Sequence, residues 1–156
     1  LWDGTRALGG VVYDPCRREL FAADLRSSTL NGVELPPLEP RALNTALLHS
    51  GFPYDRREVD DDNTAAWRRL LKLGQCVRCV GSSALDLAWT AAGRCDGYWE
   101  PRLKLWDVAA GMALVDRVGA RTTDLAGAPF DLERCDILTA EPNLHAALVA
   151  ALHSGH

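Results

Sequence analysis

The chain has 156 residues, and its 17 Lys plus Arg against 21 Asp plus Glu leave a formal net charge of −4, which excludes a nucleic-acid binder that works by bulk positive charge. With 47% hydrophobic and 24% charged residues, disorder as the dominant state is excluded too, and the length suits a sizeable buried core. No apolar run reaches the roughly 18 to 20 residues of a membrane span, and no basic, apolar, then small-residue leader opens the chain, so a cytoplasmic protein is expected.

Asp3-Gly4 reads as a two-residue hairpin turn, because both central positions of such a turn need positive φ and Asp-Gly supplies it. Residues 7–13 and 19–23 read as the next strand pair, joined by a turn at Asp14-Pro15-Cys16-Arg17. Asn31-Gly32 marks a further turn, and residues 35–40 form a proline-rich connector that cannot sit inside a sheet. The organisation changes there: residues 1–40 are expected to be an antiparallel hairpin portion and residues 41–156 an α/β domain.

In this second part residues 42–49 read as a strand and residues 64–73 as a helix, entered through Asp60-Asp61-Asp62-Asn63, whose carboxylates suit a helix N-terminus. Residues 76–80 read as a strand, and Gly81-Ser82-Ser83 leads into a helix over 84–92 closed by Gly93. Residues 97–100 predict a short strand, and residues 107–118 a helix stopped by Gly119. Residues 121–124 and 135–140 predict strands, and Pro142 opens the last helix. Five cysteines, Cys16, Cys76, Cys79, Cys95 and Cys135, are an odd set that points to reduced thiols. Cys76 and Cys79 form a CxxC without a second pair to complete a zinc site, and they read as strand cysteines.

Two places carry chemistry. Asp107 stands at a predicted helix start, where the dipole and the free N–H groups favour an ionised carboxylate whose second oxygen can reach a hard cation; an ordinary helix cap accounts for the same residue. Gly81, Ser82 and Ser83 stand at a strand-to-helix junction with backbone N–H groups available to an anion or hydroxyl.

Together these segments resemble the C-terminal half of the inositol monophosphatase family, the magnesium-dependent, lithium-sensitive phosphatases. The resemblance is carried by Leu105-Trp106-Asp107-Val108-Ala109-Ala110-Gly111, by Gly81-Ser82-Ser83-Ala84-Leu85-Asp86, and by Gly97-Tyr98-Trp99-Glu100. Gly127-Ala128-Pro129-Phe130-Asp131 and Gly51-Phe52-Pro53-Tyr54-Asp55 extend it. It implies an α/β fold, the C-terminal part of the family's layered sandwich, with an N-terminal antiparallel hairpin portion. By the same resemblance Asp107 ligates a catalytic Mg²⁺, Gly81, Ser82 and Ser83 contact the substrate through the backbone, and Glu100 accepts hydrogen bonds from inositol hydroxyls.

The implied function is Mg²⁺-dependent hydrolysis of a phosphate monoester such as inositol 1-phosphate. The implied partners are a small phosphorylated polyol and, in the full-length family form, a second copy; nucleic acid and membrane are not among them. Histidinol phosphate, fructose 1,6-bisphosphate and phosphorylated nucleotides are the alternative substrates. Glu100 favours the inositol branch, since no basic residue replaces it to seek a second phosphate. The family's other metal ligands, a glutamate and an Asp-Pro-x-Asp-Gly-Thr motif, have no counterpart here. Asp3-Gly4-Thr5 lacks the Asp-Pro, and its spacing fits the hairpin turn. The chain therefore reads as a truncated family member, with a catalytically inactive fragment or assembly module as the alternative.

Overall fold

The computed structural model describes residues 1–3 and 6–153. The expected Asp3-Gly4 turn, and with it Asp3-Gly4-Thr5, involves residues outside this set; on either side Trp2 pairs antiparallel with Ala7. Strands β1 (Gly10–Asp14), β2 (Glu19–Ala23), β3 (Ser28–Leu30) and β4 (Val33–Glu34) then form an antiparallel meander in chain order. Its first turn is closed by the Asp14 carboxylate, which accepts from the N–H groups of Cys16 (2.9 Å) and Arg17 (3.1 Å). Its last is Asn31-Gly32, both left-handed, with φ of 50° and 81°.

The connector leads into a second sheet of order β6-β5-β7-β9-β8, built from β5 (Leu47–Ser50), β6 (Cys76–Arg78), β7 (Gly97–Glu100), β8 (Arg121–Thr123) and β9 (Ile137–Ala140). β5 runs parallel to β6 and to β7, whereas β7–β9 and β9–β8 are antiparallel. The strand expected over 42–49 is only partly present. Residues Leu43–Thr45 make one 3₁₀ turn, and pairing starts at Leu47, the first residue with a partner, Cys76.

Four helices follow the expected places: α1 (Thr64–Leu73), α2 (Ser83–Ala91), α3 (Leu105–Arg117) and α4 (Pro142–His153). α3 begins two residues before the expected 107, because Asp107 sits in its first turn and caps it from inside: its Oδ2 accepts the Lys104 N–H at 3.0 Å.

The elements stack as four layers. The meander packs on α2 and α3, these pack on one face of the second sheet, and α1 and α4 cover its other face. Two apolar cores result. Val12, Phe21, Leu87, Val108, Leu114 and Ile137 fill the space around α2 and α3, and Leu48, Leu70, Leu138, Leu144 and Leu148 fill the space under α1 and α4. β7 is buried on both faces, so Tyr98 enters the first core and Trp99 the second, each worth roughly 1.5 to 3 kcal/mol of burial. Among the described residues no helix is long and apolar enough to cross a membrane.

Candidate active site

The parallel arrangement of β5, β6 and β7 brings their carboxyl ends to one side of the sheet, where open α/β sheets bind ligands. Three chain segments leave the sheet there. β5 runs out at Ser50 into Gly51 and Phe52, β6 into Cys79 and Gly81 before α2, and β7 ends at Glu100 before the turn into α3. A cleft of about 480 Å³ lies among them, and Gly81, Ser82, Ser83, Glu100 and Asp107 all line it. Sequence segments read separately are thus brought to one place.

Ser82 caps α2, its Oγ accepting the Leu85 N–H at 3.4 Å, and the first turn of the helix, Ser83 and Ala84, lines the cleft. Glu100 is the most constrained member. It is only 6% exposed, Tyr98 donates its hydroxyl to Oε2 at 2.6 Å, and Ser83 Oγ donates to the same oxygen at 3.4 Å. Burial pushes its carboxyl up to about 7 against those hydrogen bonds, with the charges of Asp86 and Asp107 adding to the rise. Tyr98 is in turn held well above the ordinary phenol range by burial and by the Glu100 charge.

Asp86 corrects a simple expectation. The sequence leaves Asp86 between a polar position on its helix face, the default, and a role in orienting the Gly81–Ser83 segment; the side chain is buried and lines the cleft, with Oδ1 2.8 Å from His49 Nδ1. Burial raises its pKa and the His49 contact opposes that rise. Arg56 and Gly51, which the sequence does not single out as site residues, and Cys79, which it reads as a strand cysteine and which lies one residue past β6, line the same cleft. For Gly51 and Cys79 the signal is position, since each directly follows a strand whose carboxyl end faces the site.

Gly51 lies directly against Glu100. A methyl group there would overlap the carboxylate, 2.5 Å from its Cδ. Gly51→Ala must therefore swing Glu100 away from Tyr98, and about 1 to 2 kcal/mol of stability is expected to be lost. A carboxyl-detected NMR titration is expected to show Glu100 returning toward the ordinary glutamate range.

Among the described residues no group of three His, Cys, Asp or Glu side chains gathers that could hold a metal ion. Asp107 has one oxygen engaged by the Lys104 N–H and offers the other to the cleft. A single carboxylate does not fit a Mg²⁺ site by itself, since that ion keeps its waters unless further oxygens join.

Comparison with known proteins gives the family and the fold. The model of the inositol monophosphatase family matches residues 1–156. An inositol-1-monophosphatase from Synechocystis is 40% identical over 144 residues, covering 92% of this chain and 50% of that protein. The Nus factor SuhB of Pseudomonas aeruginosa is 37% identical over 145 residues, covering 91% and 54%. The solved inositol monophosphatase from Anabaena superposes with a TM-score of 0.90 at 40% identity, over 93% of this chain and 58% of that one. The chain spans about half the length of the curated relatives it matches.

Proposed function

Because this chain belongs to the inositol monophosphatase family, we propose that its cleft is the substrate side of a Mg²⁺-dependent phosphate monoester hydrolase acting on inositol 1-phosphate or a similar polyol phosphate. One observation carries this reading: Gly81–Ser83, after β6, and Glu100 and Asp107, at the end of β7 and in the helix that follows it, line a single cleft at the carboxyl ends of parallel strands. Glu100 and Ser83 form the polyol wall, a carboxylate and a hydroxyl fixed to one another and able to share hydrogen bonds with ring hydroxyls. The N–H groups at the start of α2 favour the negative charge of the ester. Asp107 is the residue here that would touch a bound Mg²⁺, and by itself it does not complete a site for that ion.

Calorimetric binding of inositol 1-phosphate in Mg²⁺, run beside phosphate release, tests the reading. Asp107→Asn is expected to weaken Mg²⁺-dependent binding by roughly tenfold or more. It is expected to cost less than about 1 kcal/mol of stability, because Asn still accepts the Lys104 N–H and only the dipole interaction is lost. Binding indifferent to both Mg²⁺ and Asp107 would overturn the reading. The likeness to a protein named as a Nus factor favours a second reading, a non-catalytic assembly module. Phosphate release above background by the folded chain would count against that one.

A further inference from the structure

We propose that Arg56 makes this cleft selective for substrates that carry a second anionic group, a phosphate or a carboxylate, beside the phosphate ester. The inference rests on reading the cleft as a phosphate ester site and names the substrate class it prefers.

Arg56 belongs to the loop between β5 and α1, and this loop is tied down at both ends and in its middle. Asn63, buried and left-handed, clasps the ends: its Nδ2 donates to the Gly51 carbonyl at 2.6 Å and to Ser50 Oγ at 2.9 Å, while Trp99 Nε1 donates to its Oδ1 at 2.9 Å. Arg102 holds the middle, donating to the Asp61 carbonyl at 2.7 Å and pairing with Asp55 at 3.1 Å. Two turn hydrogen bonds, Arg56 N–H to the Pro53 carbonyl at 3.1 Å and Glu58 N–H to the Asp55 carbonyl at 2.8 Å, set the local path. A loop fixed this way presents the Arg56 side chain at low ordering cost.

The charge of Arg56 is also left for a ligand. Its acidic neighbour Asp55 is engaged by Arg102, and Arg56 is the one cation among the described residues lining the cleft, whose other charged members are Asp86, Glu100 and Asp107. Its field reaches Cys79, two residues before Gly81, where it works against the burial that raises that thiol. A polyol monophosphate needs no such group, since its hydroxyls are met by Glu100 and Ser83. An acidic cleft repels an additional anion unless a cation answers it, and a guanidinium binds phosphate or carboxylate through two parallel hydrogen bonds. The sequence shows no basic residue in place of Glu100; the fold supplies one from a different loop.

Trp106, 78% exposed and lining the same cleft, gives a fluorescence readout. The probes are fructose 6-phosphate and fructose 1,6-bisphosphate, which differ by one phosphate, titrated in Mg²⁺ within a period over which phosphate release stays below detection, so that binding is read apart from turnover. Wild type is expected to bind the bisphosphate about tenfold tighter; Arg56→Met removes that preference with the monophosphate Kd held within about twofold, and Arg56→Lys restores part of it. Thermal melts check that the exposed substitutions leave the fold intact. Equal affinity of wild type for the two probes, equal weakening of both by Arg56→Met, or binding of neither would overturn the proposal. Inositol 1-phosphate hydrolysis in Mg²⁺ is measured separately: its absence alongside a bisphosphate preference would defeat the hydrolase reading and leave Arg56 standing, and the converse result would do the opposite.

Discussion

Gly10→Ala is expected to remove on the order of 3 kcal/mol of stability, the upper part of the range for overpacking a fixed site, and to lower the melting temperature by roughly 10 °C. At this point β1 crosses α3 so closely that a methyl group on Gly10 would stand 2.5 Å from the Ala110 carbonyl oxygen and 2.6 Å from its Cα. The atoms it meets are backbone, so no rotamer change relieves the overlap. The meander must lift off α3, and the core formed by Val12, Phe21 and Leu114 opens with it. Urea unfolding followed by tryptophan fluorescence measures the effect. A midpoint unchanged from wild type would mean that the layers are not in contact here.

Glu100→Gln is expected to stabilise the chain above neutral pH and to flatten its pH profile. The sign follows from proton binding. The folded state holds the Glu100 proton up to a pKa of about 7, against an ordinary value of 4.5. Between those values the folded chain binds more protons than the unfolded one, so stability falls as pH rises through that window, and the full penalty is present above it. A shift of this size corresponds to on the order of 3 kcal/mol, and Asp86, raised by its own burial, acts in the same direction. Gln keeps an oxygen for the Tyr98 hydroxyl and removes the buried charge. Chemical denaturation at pH 5 and pH 8 decides the matter: wild type loses stability between the two, and the variant loses less. A parallel fall in both proteins would place the penalty elsewhere. The same substitution is expected to weaken polyol binding, because an amide presents one acceptor where the carboxylate presents two.

Much of the architecture is legible in the residues because local chemistry and packing agree. Asn31-Gly32 demands a tight hairpin and forms one, Pro142 opens its helix, and Gly93 and Gly119 follow α2 and α3 in left-handed conformation. The discrepancies have physical causes. Residues 42–46 have strand-like composition and no strand beside them, so pairing waits until Leu47. α3 starts at Leu105 and not at the expected 107, because Asp107 caps from the third helical position instead of preceding the helix. Within the cleft, Gly81–Ser83, Glu100 and Asp107 are readable from their motifs. Arg56 is not, since its placement depends on Asn63 and Arg102 holding a loop whose local sequence gives no sign of either contact. The burial of Asp86 likewise depends on His49, brought to it by strand order.

The most direct test of the central claim, that this cleft is the polyol phosphate site, is an amide NMR titration of the 156-residue chain with inositol 1-phosphate in Mg²⁺. Saturable shifts are predicted at Gly81, Ser82, Ser83, Glu100 and Asp107, on the segments that leave the carboxyl ends of β6 and β7. Shifts confined to the other large cavity, about 630 Å³ between Trp2, Met112 and Phe130, or no saturable shift from the folded chain, would contradict it.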